Sequence, residues 1–335
     1  MRQTFFSTSL CSLLIGVAFS GLSFPTATIH AQELTIIEAE KGGVDYQVQG
    51  EYLGVIDADN GRSWGVQVIA LGKGKFHAVG YPGGLPGDGY DPGESVREGD
   101  GSLEGNEAKF VGNEFQLVAD GKTLKVQDLS SATLGTLQKV NRESSTLGAK
   151  PPQGAVILFD GKDASAWDAG RVTAEGLLDI GPATKQKFND FTLHLEFRTP
   201  FMPESRGQAR GNSGLYLQSR YEVQILDSFG LSGENNECGG IYQIARPKVN
   251  MCYPPLRWQT YDVEFTAAKY DASGKKTSDA KATIRHNGVV IHNGLVFPKA
   301  TPGRENEANS PGAIFLQDHG NPVAFRNIWI VENSK

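Results

Sequence analysis

Acidic and amide side chains alternate with apolar ones along the stretch 211–228, GNSGLYLQSRYEVQILDS. Because successive side chains of a strand point to opposite faces, Glu222 and Gln224 are predicted to share a polar face. Asp227 follows at the strand end and is expected to rejoin them through a β-bulge, with Tyr216 on the neighbouring strand. A carboxylate pair beside an amide and an aromatic ring suits acid–base chemistry or sugar recognition. The alternative interpretation is a solvated face of an open antiparallel sheet.

The elements that must position these residues are short strands. From about Val156 to the end, the sequence carries eight such segments: FTLHLEFRT, GLYLQS, YEVQILD, GIYQI, WQTYDVEFTA, KATIRHNGVVIH, AIFLQDHG and VAFRNIWIVEN. One of them contains the HNG turn at 286–288, a strong two-residue hairpin signal. Eight or more short strands without a long helix predict a β-sandwich or jelly roll, and its curved polar face is the expected site.

The chain is long enough for two domains, and its composition changes between them. Residues 34–141 predict a smaller antiparallel β domain, in which a DG turn joins two strands of the hairpin FQLVADGKTLKVQD. Residues 142–153 are polar and contain a double proline, which predicts an extended linker. Residues 154–335 form the predicted jelly roll, and the only helical signal is a brief one near Ile36–Lys41.

Residues 1–31 resemble a secretory signal: Arg2 precedes an apolar run, and cleavage is expected after Ala31. A retained membrane anchor is the alternative. We therefore expect a periplasmic or secreted protein without a transmembrane segment after signal removal. The formal net charge is −6 and no Lys/Arg cluster occurs, which argues against nucleic acid as a partner.

Cys238 and Cys252 are the cysteines that remain after this leader. An even count in an exported chain favours a disulfide between them, and two free buried thiols are the alternative. Neither a CxxC pair nor a spaced histidine cluster occurs, so no metal site is predicted from the residues.

Six segments, in order, carry a resemblance to a known family: LFDGKDASAW, NSGLYLQSRYEVQILDS, GGIYQ, WQTYDVEF, HNGVVIH and GAIFLQDHGNPVAFRNIWI. Together they resemble the 3-keto-disaccharide hydrolase domain family over about Pro152 to Asn333. The resemblance implies a concanavalin-like jelly roll related in shape to laminarinase-type glucanases. Gln224 stands where those glucanases have the middle of three acids, which argues against an ordinary two-carboxylate retaining enzyme.

The family name implies a carbohydrate substrate with a ketone at carbon 3. Such a ketone acidifies the hydrogen on carbon 2, so a base can drive elimination of the group on carbon 1, and added water completes a net hydrolysis. The candidates for acid–base roles are Glu222, Asp227 and His319. Arg326 or a bound divalent metal is expected to stabilise the oxyanion, and no cofactor is otherwise implied. The side chains expected to bind substrate are Asn212, Tyr216, Gln224, Gln317, Arg326 and Trp258.

Purely structural roles are the alternative for several of these residues. His319 suits a polar turn, Arg326 suits a structural ion pair with Asp318 or Asp262, and Trp258 suits the sandwich core. His194 is expected to be solvated. For the whole protein, the alternatives to the enzyme are a non-catalytic carbohydrate-binding module, an adhesion or scaffolding protein, and an ordinary glycoside hydrolase.

Overall fold

The computed structural model describes residues 34–333, and the predicted signal at 1–31 lies outside this range. Within the described residues, no helix is long and apolar enough to cross a membrane. A 3-10 helix at Ala39–Lys41 and a six-residue helix, α1 (Gly43–Val48), precede the first strand. The brief helix predicted near Ile36–Lys41 is therefore displaced towards the C-terminus, and two further 3-10 turns occur at Asp57–Asp59 and Gly207–Ala209.

Eight antiparallel strands then form a closed barrel, in which each strand pairs with the next and the first pairs with the last. They are β1 (Gly50–Ile56), β2 (Arg62–Gly72), β3 (Lys75–Pro82), β4 (Arg97–Glu104), β5 (Glu107–Val111), β6 (Phe115–Ala119), β7 (Thr123–Asp128) and β8 (Thr133–Val140). The predicted DG hairpin is the β6–β7 pair. Closure leaves no unpaired sheet edge, which an isolated small sheet would expose.

The C-terminal strands form two larger sheets and a two-stranded ribbon. They are β9 (Val156–Phe159), β10 (Trp167–Asp168), β11 (Ala183–Thr184), β12 (Phe191–Arg198), β13 (Ser213–Leu217), β14 (Tyr221–Ile225), β15 (Gln259–Thr266), β16 (Lys269–Tyr270), β17 (Lys276–Ser278), β18 (Ala280–His286), β19 (Val289–Phe297), β20 (Phe315–Leu316) and β21 (Ala324–Glu332). The five-stranded sheet has the order β10-β11-β20-β13-β14, and the six-stranded sheet has the order β19-β18-β15-β12-β21-β9. The predicted all-β sandwich preceded by a smaller antiparallel β domain is confirmed.

The core of the sandwich consists of the apolar side chains that alternate along each strand. Leu215 of β13 and Val223 of β14 are fully buried in the same cluster as Leu193 and Leu195 of β12. Since side chains alternate across a sheet, this packing turns the polar residues of β13 and β14 to the opposite face.

Barrel and sandwich share buried surface. Ile69 and Tyr81 of the barrel belong to the buried cluster that fills the sandwich. The predicted linker is not a free spacer, because it packs on the outer face of the six-stranded sheet. The backbone N–H of Gly148 donates to Glu196 Oε1 at 2.6 Å, and Trp329 Nε1 donates to the carbonyl of Ala149 at 3.1 Å. The Pro-rich segment is held there because buried polar groups of the sheet require hydrogen-bond partners.

Cys238 and Cys252 are both buried free cysteines, so the predicted disulfide is not present in the structure. The two thiols are hydrogen-bonded to each other, and each has further partners. Cys238 Sγ lies 3.3 Å from Tyr261 Oη, and Cys252 Sγ donates to the carbonyls of Leu226 and Tyr253 at 3.5 Å. The alternative of two buried thiols therefore describes the structure.

Candidate active site

The β13–β14 hairpin brings the polar residues of two strands side by side. Tyr216 is paired in register with Glu222, and Gly214 is paired with Gln224. The connecting turn places Gln218 and Ser219 at φ 53° and φ 58°, the left-handed pair typical of a tight hairpin. This register places a carboxylate, an amide and a phenol on one surface, and the face shared by Glu222 and Gln224 is the one predicted from the alternation.

Glu222 is the centre of this surface. Its side chain is buried, with 6% of the residue exposed, and the phenol of Tyr216 is its hydrogen-bond partner. Burial raises the pKa of Glu222 to about 7, and the hydrogen bond from Tyr216 partly offsets this rise. A carboxyl group with a pKa near 7 can gain and lose a proton at neutral pH, as general acid–base catalysis requires.

Gly214 provides the space that Glu222 occupies. A Cβ atom at position 214 would lie 2.4 Å from Glu222 Oε1, closer than such atoms approach, and 3.2 Å from Gln317 Oε1, which is a tight contact. Any side chain there would displace the carboxylate. The sequence analysis did not select this residue, although a glycine inside an alternating strand is a known signal of close approach.

The predicted group contains three amides, and of these Gln224 contacts the carboxylate. In the orientation that satisfies its neighbours, Gln224 Nε2 donates to Glu222 Oε1 at 3.0 Å and to the carbonyl of Ser213 at 3.2 Å. Gln317 Nε2 lies 3.5 Å from Tyr216 Oη, while its Oε1 is buried without a hydrogen-bond partner. Asn212 Nδ2 donates to the carbonyl of Gln208 at 2.7 Å. The predicted group Asn212, Tyr216, Glu222, Gln224 and Gln317 is therefore brought together.

His319 lies in the segment that follows β20, and both ends of this segment are fixed to the start of β13. The backbone N–H of Gln317 donates to the carbonyl of Gly214 at 2.9 Å, and Asn321 Oδ1 accepts from the N–H of Asn212 at 2.8 Å. His319 itself is exposed between these two anchors. It stands at the rim of the site, whereas Glu222 is buried within it.

Asp227 does not rejoin Glu222 and Gln224. It lies beyond the end of β14, where Arg210 Nε donates to Asp227 Oδ2 at 2.7 Å, and the Asp227 side chain is fully buried. Arg210 Nη1 also donates to the carbonyl of Ala70 in the barrel at 3.3 Å. The β-bulge expected from sequence is replaced by an ion pair that connects the sandwich to the barrel, because a buried carboxylate requires a compensating cation.

Arg326 and Trp258 lie on the other sheet of the sandwich. Arg326 Nε donates to Glu196 Oε2 at 2.7 Å, and its Cζ lies 4.0 Å from the centre of the Trp258 ring. The structure therefore does not bring these two predicted substrate-binding residues together with Glu222. The structural ion pair considered for Arg326 exists, but its partner is Glu196.

His194, on the same outer face of the six-stranded sheet, was expected to be solvated, and this prediction is wrong. Its side chain is fully buried, and His194 Nδ1 lies 2.7 Å from Asp262 Oδ1. His194 also stacks on Trp329, with ring centres 5.2 Å apart. The segment at 142–153 covers this face, and a polar strand face covered by another segment is buried instead of solvated.

Arg304 is a cation near the site that the sequence analysis missed. Its Cζ lies 3.7 Å from the centre of the Phe315 ring, and Phe315 packs edge-on against Tyr216 at 5.7 Å between ring centres. Its positive charge acts on Tyr216, although burial and Glu222 outweigh it and raise the pKa of the phenol. No local pattern marks Arg304, because it comes from a segment about 80 residues away in sequence from β14.

This arrangement can exchange a proton at one carboxyl group and donate hydrogen bonds from amide and phenol groups. No group of three or more His, Cys, Asp or Glu side chains among residues 34–333 is arranged to hold a metal ion.

Comparison with known proteins places this surface in a family context. Residues 154–331, more than half of the chain, match the 3-keto-alpha-glucoside-1,2-lyase-like domain. The crystal structure of "a putative glycosyl hydrolase" from Parabacteroides distasonis is 35% identical, with a TM-score of 0.50, over 54% of this chain and 85% of that chain. A second such structure from the same organism is 19% identical, with a TM-score of 0.41, over 54% of this chain and 95% of that chain. No curated protein sequence matches the chain.

Proposed function

The chain belongs to the family of the 3-keto-alpha-glucoside-1,2-lyase-like domain, and from this we propose that it cleaves 3-keto-glycosides by elimination followed by addition of water. Its relatives are carbohydrate-active proteins, so the substrate is a sugar. The finer proposal, that a ketone at carbon 3 drives the cleavage, has to be supported by the chemistry of the site.

The observation that carries the proposal is the isolation of Glu222. Burial raises its pKa to about 7, a phenol and an amide contact it, and no cation of residues 34–333 forms an ion pair with it. A base with a pKa near the working pH combines a substantial ionised fraction with a useful driving force for proton removal. Removing a proton from carbon needs such a base, and the adjacent ketone supplies the acidity.

In the proposed reaction, the Glu222 carboxylate takes the proton from carbon 2, and the electrons of that bond move to the ketone oxygen as an enolate. The electrons then return to form a C1=C2 double bond, the C1–O bond breaks, and the departing oxygen takes a proton. We assign this proton to His319 or to the newly protonated Glu222. Water adds back with its oxygen on carbon 1 and its hydrogen on carbon 2, which gives net hydrolysis.

An ordinary glycosidase mechanism fits the site less well. Retaining and inverting enzymes use two carboxyl groups that flank the scissile bond. Here Asp227 is committed to Arg210, and the position between Glu222 and Asp227 on the strand carries the amide of Gln224. A single carboxyl group suffices for elimination because the ketone replaces the second carboxylate as the activating group.

Enolate stabilisation is assigned to Arg304 and Gln317, which lie beside the five-stranded sheet. Arg304 is the cation whose charge reaches Tyr216, and Gln317 has its Nε2 beside the phenol and its Oε1 unpartnered. Hydrogen-bond donors fixed in a low-dielectric site stabilise developing negative charge more than the same donors in water. We therefore assign to Arg304 the role that the sequence suggested for Arg326.

The test is turnover of a 3-keto-glucoside with a chromogenic leaving group, beside its unoxidised parent, with and without chelator. We expect release from the keto compound alone and no effect of the chelator. In deuterated water, the product sugar should carry deuterium at carbon 2, since the proton removed there exchanges with solvent. Release without deuterium at carbon 2, or release from the parent, would overturn the elimination mechanism, and binding without release would favour a carbohydrate-binding module.

A further inference from the structure

A second cavity lies away from Glu222, between the barrel and the sandwich. It has a volume of about 450 Å³, within the usual range of small-molecule sites. Its barrel side is lined by Tyr46, Gln49 and Lys139, and its sandwich side by Pro254 and Arg257. We call it the basic pocket, after the two cations described next.

The positive charge of the basic pocket is not compensated. Lys139 Nζ donates to the carbonyl of Gln47 and lies 5.8 Å from the centre of the Tyr52 ring, and no carboxylate of the described residues forms an ion pair with it. Arg257 donates to the carbonyl of Arg142 at 3.4 Å and has no ion pair in residues 34–333 either. Burial and the charge of Arg257 lower the pKa of Lys139 to about 8. Two cations that repel each other in a partly buried place are costly without a counter-charge.

The other charges of the pocket do not supply that counter-charge. Glu51 is held by Arg142, whose Nε donates to Glu51 Oε2 at 2.9 Å, so this pair is neutral in sum. Glu40 also lines the pocket but is exposed. Lys139 and Arg257 therefore face the cavity, and no carboxylate of residues 34–333 forms an ion pair with either.

Gln49 provides an independent observation. The residue is only 3% exposed and lines the pocket, and its Oε1 accepts from the N–H of Ala70 at 2.9 Å. Its Nε2 is buried without a hydrogen-bond partner. A buried donor without an acceptor is uncommon and costly, so the polar lining of this pocket is not fully satisfied by residues 34–333.

We propose that the basic pocket binds a hexose-sized molecule bearing an oxyanion, with the oxyanion between Lys139 and Arg257. A carboxylate and a phosphate both satisfy this chemistry. The volume leaves room for a sugar ring besides the charged group, and the ring of Tyr46 provides an apolar wall. The site is separate from Glu222, and its test does not depend on the proposed catalysis.

Calorimetry of the whole protein with glucuronate, glucose 6-phosphate and glucose tests this proposal. The three probes share the ring and differ in the charged group, so the tighter of the two acids identifies the oxyanion. We expect at least one acid to bind at least tenfold more tightly than glucose. Equal binding of all three probes, or no heat with either acid at millimolar concentration, would overturn the proposal.

Three variants separate the pocket from general charge effects. Lys139→Met and Arg257→Gln are each expected to weaken acid binding at least tenfold. Lys125→Met, which removes an exposed lysine of the neighbouring strand β7, should leave it within twofold. Thermal melting checks folding, and Lys139→Met is expected to melt no lower than the wild type, since it removes an uncompensated charge. Unchanged binding by both folded pocket variants would overturn the proposal.

Discussion

Glu222 on the five-stranded sheet and Glu196 on the six-stranded sheet are both buried, but their ionisation is opposite. Glu222 has a phenol and an amide as neighbours, and burial raises its pKa to about 7. Burial acts in the same direction on Glu196, but hydrogen bonds from His194, Asn327 and Arg326 outweigh it and lower the pKa to about 2. The hydrogen-bond and charge partners of a carboxylate, and not its degree of burial, therefore decide whether it holds a proton at neutral pH.

The comparison separates a reactive site from a structural one. The network around Glu196 is fully satisfied, with Arg326 Nε at 2.7 Å, Asn327 Nδ2 at 2.8 Å and the N–H of Gly148 at 2.6 Å. Glu222 lacks a cation, so its charged form is destabilised and available for proton transfer. A buried carboxylate with every acceptor position filled stabilises the fold, whereas one that lacks a counter-charge is suited to chemistry.

The largest expected effect is on Glu222→Gln. If Glu222 is the base, the rate constant on a 3-keto-glucoside should fall about 10²- to 10⁴-fold, the usual contribution of such a group. The wild-type rate should rise with pH through about 7, because only the carboxylate can take the proton. Steady-state kinetics between pH 5 and pH 9 measure both, and Glu264→Gln, on the exposed face of β15, is the matched control.

Glu222→Gln should lower activity but raise the stability of the fold above neutral pH. The folded-state pKa of Glu222 is raised above its ordinary value of 4.5, so its favourable contribution is complete below pH 4.5 and is lost as pH rises through 7. At pH 8, Glu222→Gln should therefore increase the free energy of unfolding, by up to about 3 kcal/mol. Urea unfolding at pH 5 and pH 8 checks this, and equal stability of variant and wild type at both values would contradict the burial argument.

Glu196→Gln tests the structural member of the two buried glutamates. Removing this carboxylate takes the ion-pair partner from Arg326 and one of the two nearby carboxylates from His194, so the free energy of unfolding should fall by about 3 kcal/mol. The lowered pKa of Glu196 means that its contribution is present above pH 4.5 and is lost as pH falls towards 2. The difference from wild type, measured by urea unfolding, should thus shrink in acid.

Activity distinguishes the two glutamates further. The folded fraction of Glu196→Gln should turn over substrate at the wild-type rate, since the network lies on the sheet opposite Glu222. A loss of more than tenfold in kcat for fully folded Glu196→Gln would show that the outer face takes part in catalysis, and the distinction between the two sheets would fail.

Gly214→Ala is the mildest change. The new methyl group would overlap Glu222 Oε1, at 2.4 Å, and displace the carboxylate without removing it. A displacement of about 1 Å can cost about 10²-fold, so we expect a fall of about 10- to 100-fold in kcat with the protein still folded. Gly99→Ala is the control, because a Cβ there meets no atom within 4 Å. Equal activity of the two variants would argue against a positional role for Gly214.

The sequence alone determined the features that depend on neighbouring residues. Alternation along 211–228 predicted the two strands and the shared face of Glu222 and Gln224, because side-chain direction in a strand repeats every two residues. The hairpin at Asn287–Gly288 followed from local backbone preference, with φ 52° and 83°. Together, such segments were sufficient to predict the all-β class and the family.

Only the tertiary structure decided which charged side chains form ion pairs. Asp227 forms an ion pair with Arg210, which is 17 positions away in the sequence. Arg326 forms one with Glu196, which is 130 positions away. Arg304 reached the Phe315–Tyr216 pair from a segment that no pattern marks. Strand direction is set by adjacent residues, but compensation of a buried charge depends on whatever the folded chain brings within a few ångströms, and this decided that Glu222 remained without a cation.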